Sequence, residues 1–165
     1  MKALTVWQPW ASLIAEGLKP YEFRAWRPPA SIVGQRIAIH AGARAINPLE
    51  LDNLLWQLTQ RDFAGVALRE GALPFLRAAK LKPETLWRSS ILATAKLGAP
   101  RHPREIAAEF GGAAANDSDR AGHFNWAWPL TEIERVSPPA PATGAQGFWE
   151  WRREAQPGDL FGGAA

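Results

Sequence analysis

Apolar and polar positions sort this chain into short strands and a few helices. "ALTVW", residues 3–7, is β-branched and aromatic and predicts a strand. A helix follows at once. Pro9 suits a first helical position, Trp10, Leu13 and Ile14 recur at the spacing of one helical face, and Gly17 stands where a left-handed residue ends a helix. Residues 21–26 predict a second strand, with Glu22, Arg24 and Trp26 on one face and Tyr21 and Phe23 on the other, which leaves Lys19 in the turn before Pro20. "QRIAIHAG", residues 35–42, alternates Ile37 and Ile39 against Arg36 and His40. Leucines at 51, 54, 55 and 58 behind Asn47 and Pro48 predict a helix over 47–61 with one apolar stripe. "SILATAKLGA", residues 90–99, sets Thr94 and Lys96 opposite Ile91, Ala93, Ala95 and Leu97. Residues 123–136 predict a long final strand that Pro129 bends or demotes to an edge.

Two stretches rich in Pro, Gly and Ala separate these elements. Residues 99–122 predict a short helix and a mobile loop, and residues 137–147 a surface connection. There is no internal repeat and no βαβ rhythm. The expected architecture is therefore α+β, with a small mixed or closed sheet, in one domain of 165 residues.

Composition narrows the classes. With 47% hydrophobic and 21% charged residues the chain is globular, and no apolar run reaches the length of a membrane span. It has no cysteine, hence no disulfide framework and no thiolate metal site, and its N-terminus lacks a secretory pattern, so a cytoplasmic protein of bacterial type is expected. A net charge of +3 is too small to coat nucleic acid unaided, so any anion binding has to be local. The nine tryptophans are expected mostly in the core, with a minority free to stack on a base.

Several chemistries are excluded by spacing. The histidines, His40, His102 and His123, are not paired as helical metal ligands and none adjoins a nucleophile elbow. Asp117 and Asp119 sit two apart, as in cation loops, but no bidentate glutamate follows at the loop distance, and no glycine-rich phosphate loop is present. No metal and no cofactor are expected. What remains is "GLKPYEFRAWR", residues 17–27, which crowds a lysine, a glutamate and arginines among aromatic rings.

That stretch, with "QPWA" before it, "GQRIAIHAG" after it and "QGFWEW" near the end, resembles the ASCH domain family, whose signature G-x-K-x-x-E-x-R reads here as Gly17, Lys19, Glu22 and Arg24. The resemblance covers residues 3–42, returns over 90–98 and 123–151, and leaves a helical insertion at about 47–88 outside it. It implies a PUA-like β-barrel flanked by helices, with a cleft that binds single-stranded RNA, a nucleotide or a nucleoside. Lys19, Glu22, Arg24, Trp10, Trp26, His40, Arg44 and Lys96 are the expected ligand-binding residues. The alternative is a hydrolase. Some small members resembling this chain remove the acyl group of N4-acetylcytidine with the motif lysine, a threonine where this chain has Glu22, and a later glutamate; other members are regarded as ribonucleases. On that reading Lys19 and Glu22 are catalytic, Glu132 or Glu134 stands in for the later glutamate, and the sequence offers no acid/base pair for a ribonuclease. Protein partners are not indicated, and no membrane is.

Overall fold

The computed structural model describes residues 1–112 and 124–152. Six strands form one mixed sheet: β1 (Lys2–Val6), β2 (Tyr21–Arg24), β3 (Arg36–Ala41), β4 (Ser90–Leu97), β5 (Trp126–Pro141) and β6 (Phe148–Glu150), in the spatial order β2-β5-β4-β3-β1-β6. Only β1 and β3 run parallel. All other neighbours are antiparallel. Among the described residues four α-helices accompany them: α1 (Trp10–Ala15), α2 (Pro48–Thr59), α3 (Ala72–Leu81) and α4 (Pro103–Ile106). No helix of the described residues is long and apolar enough to cross a membrane.

The sheet curls. Phe148 of the edge strand β6 stacks on Trp128 of β5, ring centroids 5.8 Å apart, and Trp26, just past the other edge strand, meets both rings edge-on at 5.9 and 4.7 Å. Arg24 Nη2 also donates to Thr5 O at 2.8 Å, tying β2 to β1. The two edges are thus joined by side chains. The curl encloses a core of Leu4, Val6, Ile14, Ile37, Ile39, Ala93, Ala95, Leu97 and Trp128.

Helix α1 is only six residues long, so packing rather than propensity holds it. Ala11 and Ile14 face the sheet core, whereas Leu13 joins Leu51, Leu54 and Leu58 of α2 and Leu76 of α3 in a second core. The 47–88 region is therefore a helical pair braced on the back of α1. Asn47 starts α2 as its cap, its Oδ1 accepting from Leu49 N at 3.0 Å. The outer face of β2, with Tyr21 and Phe23, is covered by Ile106 of α4 and Ala67. There Tyr21 OH donates to Glu109 Oε2 at 2.5 Å and accepts from Arg101 Nη1 at 3.0 Å; burial and then the Glu109 hydrogen bond push the phenol up to about 12.

Three expectations change. First, β5 is not demoted to an edge by Pro129: Trp126–Pro129 pairs with β2 on one side, and on the other the chain just past β4 meets it, Pro129 offering its carbonyl to Gly98 N at 2.8 Å and Ala127 bridging to Arg101. Second, β5 runs on to Pro141, through what reads as a surface connection. Beyond Pro129 it has β4 on one side and no described strand on the other, and the register shift between Ile91 and Ala93 of β4 leaves Pro138 and Pro139 outside the paired ladder. Third, fewer tryptophans are core than expected, although Trp10, Trp126 and Trp149 pack half-buried against the cores. Trp128 and Trp151 are buried, but Trp7, Trp26, Trp56 and Trp87 are exposed. Of the expected loop at 100–122, residues 103–110 form α4 and a following 3₁₀ turn. Residues 113–122, with Asp117 and Asp119, and the expected strand start His123 lie outside the described residues.

Candidate functional site

The signature acquires a physical meaning at the end of α1. Gly17 adopts φ +70°, a left-handed conformation that only glycine takes freely, and the chain folds back so that Leu18 N and Lys19 N both donate to Leu13 O, at 2.8 and 3.1 Å. This reversal buries Lys19 to 3% exposure. Its ammonium lies 5.0 Å from the Trp10 ring centroid and 4.8 Å from that of Phe23, a cation held between a helix ring and a strand ring. From the sequence, Lys19 was expected in an open turn; the left-handed cap instead aims it under the neighbouring elements.

Strand β2 then alternates. Glu22 and Arg24 point to the face opposite Tyr21, and Arg24 Nε sits 2.9 Å from Glu22 Oε1. Glu22 is nearly buried and Arg24 about one-third exposed. A carboxylate so buried is tolerable only beside compensating charge. Both residues line a cleft of about 750 Å³. Its other walls are Thr5 and Trp7 from β1 and its end, Trp10 from α1, His40, Gly42 and Ala43 from β3 and its end, and the loop 142–147.

That loop is clasped from below. His40, 2% exposed, places Nε2 3.0 Å from Ala142 O and Nδ1 3.2 Å from Thr5 Oγ1. Thr5 Oγ1 donates to Ala145 O at 2.9 Å and accepts from Trp149 Nε1 at 3.1 Å. Burial holds the His40 pKa below its ordinary value, opposed in part by the hydrogen bond to Ala142. Gly144 makes the approach feasible, because a Cβ there would lie 2.8 Å from Thr5 Oγ1 and closer still to the His40 ring.

Of the eight residues expected at the site, the structure brings four to the cleft wall: Glu22, Arg24, Trp10 and His40. Lys19 stands behind that wall, against two rings that form it. Arg44 covers the Trp7 ring at 4.3 Å and is held by Glu50 at 2.8 Å, at the rim. Trp26 lies past the end of β2 against Trp128 and Phe148. Lys96 is elsewhere, in a surface ladder in which Glu132 takes Lys96 at 3.1 Å and Arg36 at 3.4 Å, while Glu134 takes Arg36 at 3.0 Å. The two glutamates considered as stand-ins for a catalytic one are thus committed to that ladder.

Sequence reasoning missed Trp7, Thr5 and the 142–147 loop. Trp7 adjoins the "QPWA" signature and was legible as a neighbour of it. The loop is made of small residues without a chemical signal of its own. Gln8 was also missed: its Oε1 accepts from Ser12 N at 3.1 Å and its Nε2 donates to Ser12 Oγ at 2.8 Å, capping α1 from outside.

A family model described as the ASCH domain matches residues 4–98, more than half of the chain. Among solved structures, that of ASCH from Zymomonas mobilis aligns over 92% of this chain and 87% of that one, with 15% identity and a TM-score of 0.49. Two mutant forms of the Zymomonas mobilis protein align over 92% of this chain and 90% and 88% of theirs, each with 16% identity and TM-scores of 0.48 and 0.47. No curated protein matches.

Proposed function

This chain belongs to the ASCH domain family, and on that premise we propose that it is a nucleotide- or RNA-binding module whose ligand enters the cleft at the Glu22–Arg24 pair. The curled sheet is then read as a PUA-like barrel acting in the cytoplasm. The observation that carries the reading is the pairing of one cation and one nearly buried carboxylate, 2.9 Å apart, in a cleft whose other walls are largely aromatic and backbone. A nucleobase presents an aromatic face together with donors and acceptors at its edge, and a nucleotide adds a phosphate. Trp7 or Trp10 stacks on the ring, Arg24 meets the phosphate or an acceptor on the base edge, and Glu22 accepts from an exocyclic amine. Lys19 supports binding over amide hydrolysis: a lysine base has to reach the substrate, and this one is covered by Trp10 and Phe23.

The test is calorimetric titration with cytidine and adenosine monophosphates and with short single-stranded RNA. Binding is expected to be weak and to fall between low and moderate salt, since few cations meet the ligand. Arg24→Ala is expected to lower affinity about tenfold or more, the worth of one charge-assisted hydrogen bond. Affinity independent of salt and of Arg24 contradicts the reading. Release of product from N4-acetylcytidine or RNA, abolished in Lys19→Ala, replaces it with the hydrolase.

A further inference from the structure

Outside the cleft, the inner face of β2 and β5 continues into a ribbon of rings and uncommitted cations. Arg24 lies directly across the ladder from Trp126, so the two side chains are cross-strand neighbours. The Arg27 guanidinium covers the Trp126 ring at 3.9 Å from its centroid. Phe124 stands 5.4 Å from Trp126, and His102 is 4.3 Å from Phe124 and 6.3 Å from Trp126. On the other side, Trp26 rests on Trp128 and Phe148, the residue after Gly147 of the cleft wall.

The plain explanation is that these rings finish the core. It accounts for Trp126, which is half-buried, but not for Trp26 and Phe124, which keep 40% and 36% of their surface exposed. Nor does it account for the cations that lie among the rings. Lys2, Arg24, Arg36, Arg44, Arg61, Lys80, Lys96, Arg101 and Arg135 each have a carboxylate within ion-pair distance. Arg27, and Arg104 beside His102, are exposed and have none among the described residues, as is also true of Arg69, Arg77, Lys82 and Arg88 elsewhere, but Arg27 lies in line with Arg24 and already covers a ring, that of Trp126. Exposed rings interleaved with unpaired cations match a chain that alternates flat bases with phosphates.

We propose that this ribbon is a second subsite, which takes the nucleotide adjoining the one in the cleft, so that the ligand is a single-stranded oligonucleotide rather than a free nucleoside or mononucleotide. The inference rests on the cleft reading above. Arg27 is already stacked on one face and presents its N–H groups to the linking phosphate, between the charge of Arg24 and the exposed ring of Trp26. Stacking reads every base and neither ring nor cation reads a 2′-hydroxyl, so RNA and DNA strands are both accepted here.

The experiment is a length series of oligouridylates and oligothymidylates, from mononucleotide to hexanucleotide, measured by calorimetry on the whole chain. Affinity is expected to rise about tenfold or more between mononucleotide and trinucleotide in both series. In Phe124→Ala and Arg27→Ala, both exposed positions outside the cleft and outside the ring contacts that close the sheet, mononucleotide affinity is expected to stay unchanged while the gain with length disappears. Affinity that depends on Arg24 but not on length, or a gain that survives both substitutions, overturns the second subsite and leaves the cleft reading intact. Length-dependent binding that needs Phe124 and Arg27 but not Arg24 supports the ribbon and overturns the cleft reading. No binding of any length overturns both.

Discussion

Lys19 places its charge against two rings rather than against solvent, and this changes what its substitution should do. A cation over an aromatic face contributes about 0.5–2 kcal/mol, more where water is excluded. Lys19→Met keeps the length and removes the charge. The expected result is a lower melting temperature, by several degrees, and a loss of nucleotide affinity smaller than that of Arg24→Ala, since Trp10 and Phe23 relax without a direct contact being removed. Thermal melts and calorimetry on the same samples check it. Unchanged melting with abolished binding shows that Lys19 touches the ligand. At this scale Glu22 and Arg24 were legible, because period-two alternation alone puts them on one face. The destination of Lys19 was not. Its burial depends on where α1 and β2 come to lie relative to each other, which local spacing does not encode. Lys96 misled for the converse reason, since a cation on a polar strand face reads the same whether that face meets a ligand or a row of glutamates.

The element that shapes the cleft most directly is the 142–147 loop, and its clasp counts protons. His40 Nε2 faces a carbonyl and so carries hydrogen. Thr5 Oγ1 has one proton and two acceptors to serve, Ala145 O and His40 Nδ1, so the neutral ring satisfies one of these contacts at a time. Protonating the ring would supply the missing hydrogen, but burial opposes it more than the hydrogen bond to Ala142 favours it. A histidine whose folded pKa lies below 6.5 is protonated more readily in the unfolded chain. Its contribution to stability is therefore complete above about pH 6.5 and declines as pH falls from there toward the lowered folded value. Melts between pH 7 and pH 5 are expected to show this decline, and His40→Gln to flatten it. A slope identical in the variant assigns the acid sensitivity to other groups. That 142–147 connects two strands was legible in the sequence, but its place in the cleft wall was not, and the prolines of 137–141 read as connection although they serve a strand bound on one side only. The "QGFW" signature just after it was legible, and its Phe148 is the ring that draws the sheet edges together.

Across the whole molecule, the curled sheet and the helical pair have separate tasks. Aromatic contacts among Trp26, Trp128 and Phe148 bring β2 beside β6 and so hold Arg24 opposite Thr5. Helices α2 and α3 pack on Leu13, and Arg69 N donates to Leu18 O at 3.0 Å, so the insertion braces the Gly17–Lys19 turn from outside. The α+β class followed from element order, whereas the curl depends on ring contacts between residues far apart in the chain. All these supports converge on one cleft wall. The direct test is a crystal structure of the protein with a bound short oligouridylate. The account predicts a base between the cleft rings, with Arg24 within hydrogen-bond distance of phosphate or base and Glu22 facing the base edge. A ligand seated instead in the groove at Glu16, Trp87 and Arg135, with the Glu22–Arg24 cleft empty, contradicts it.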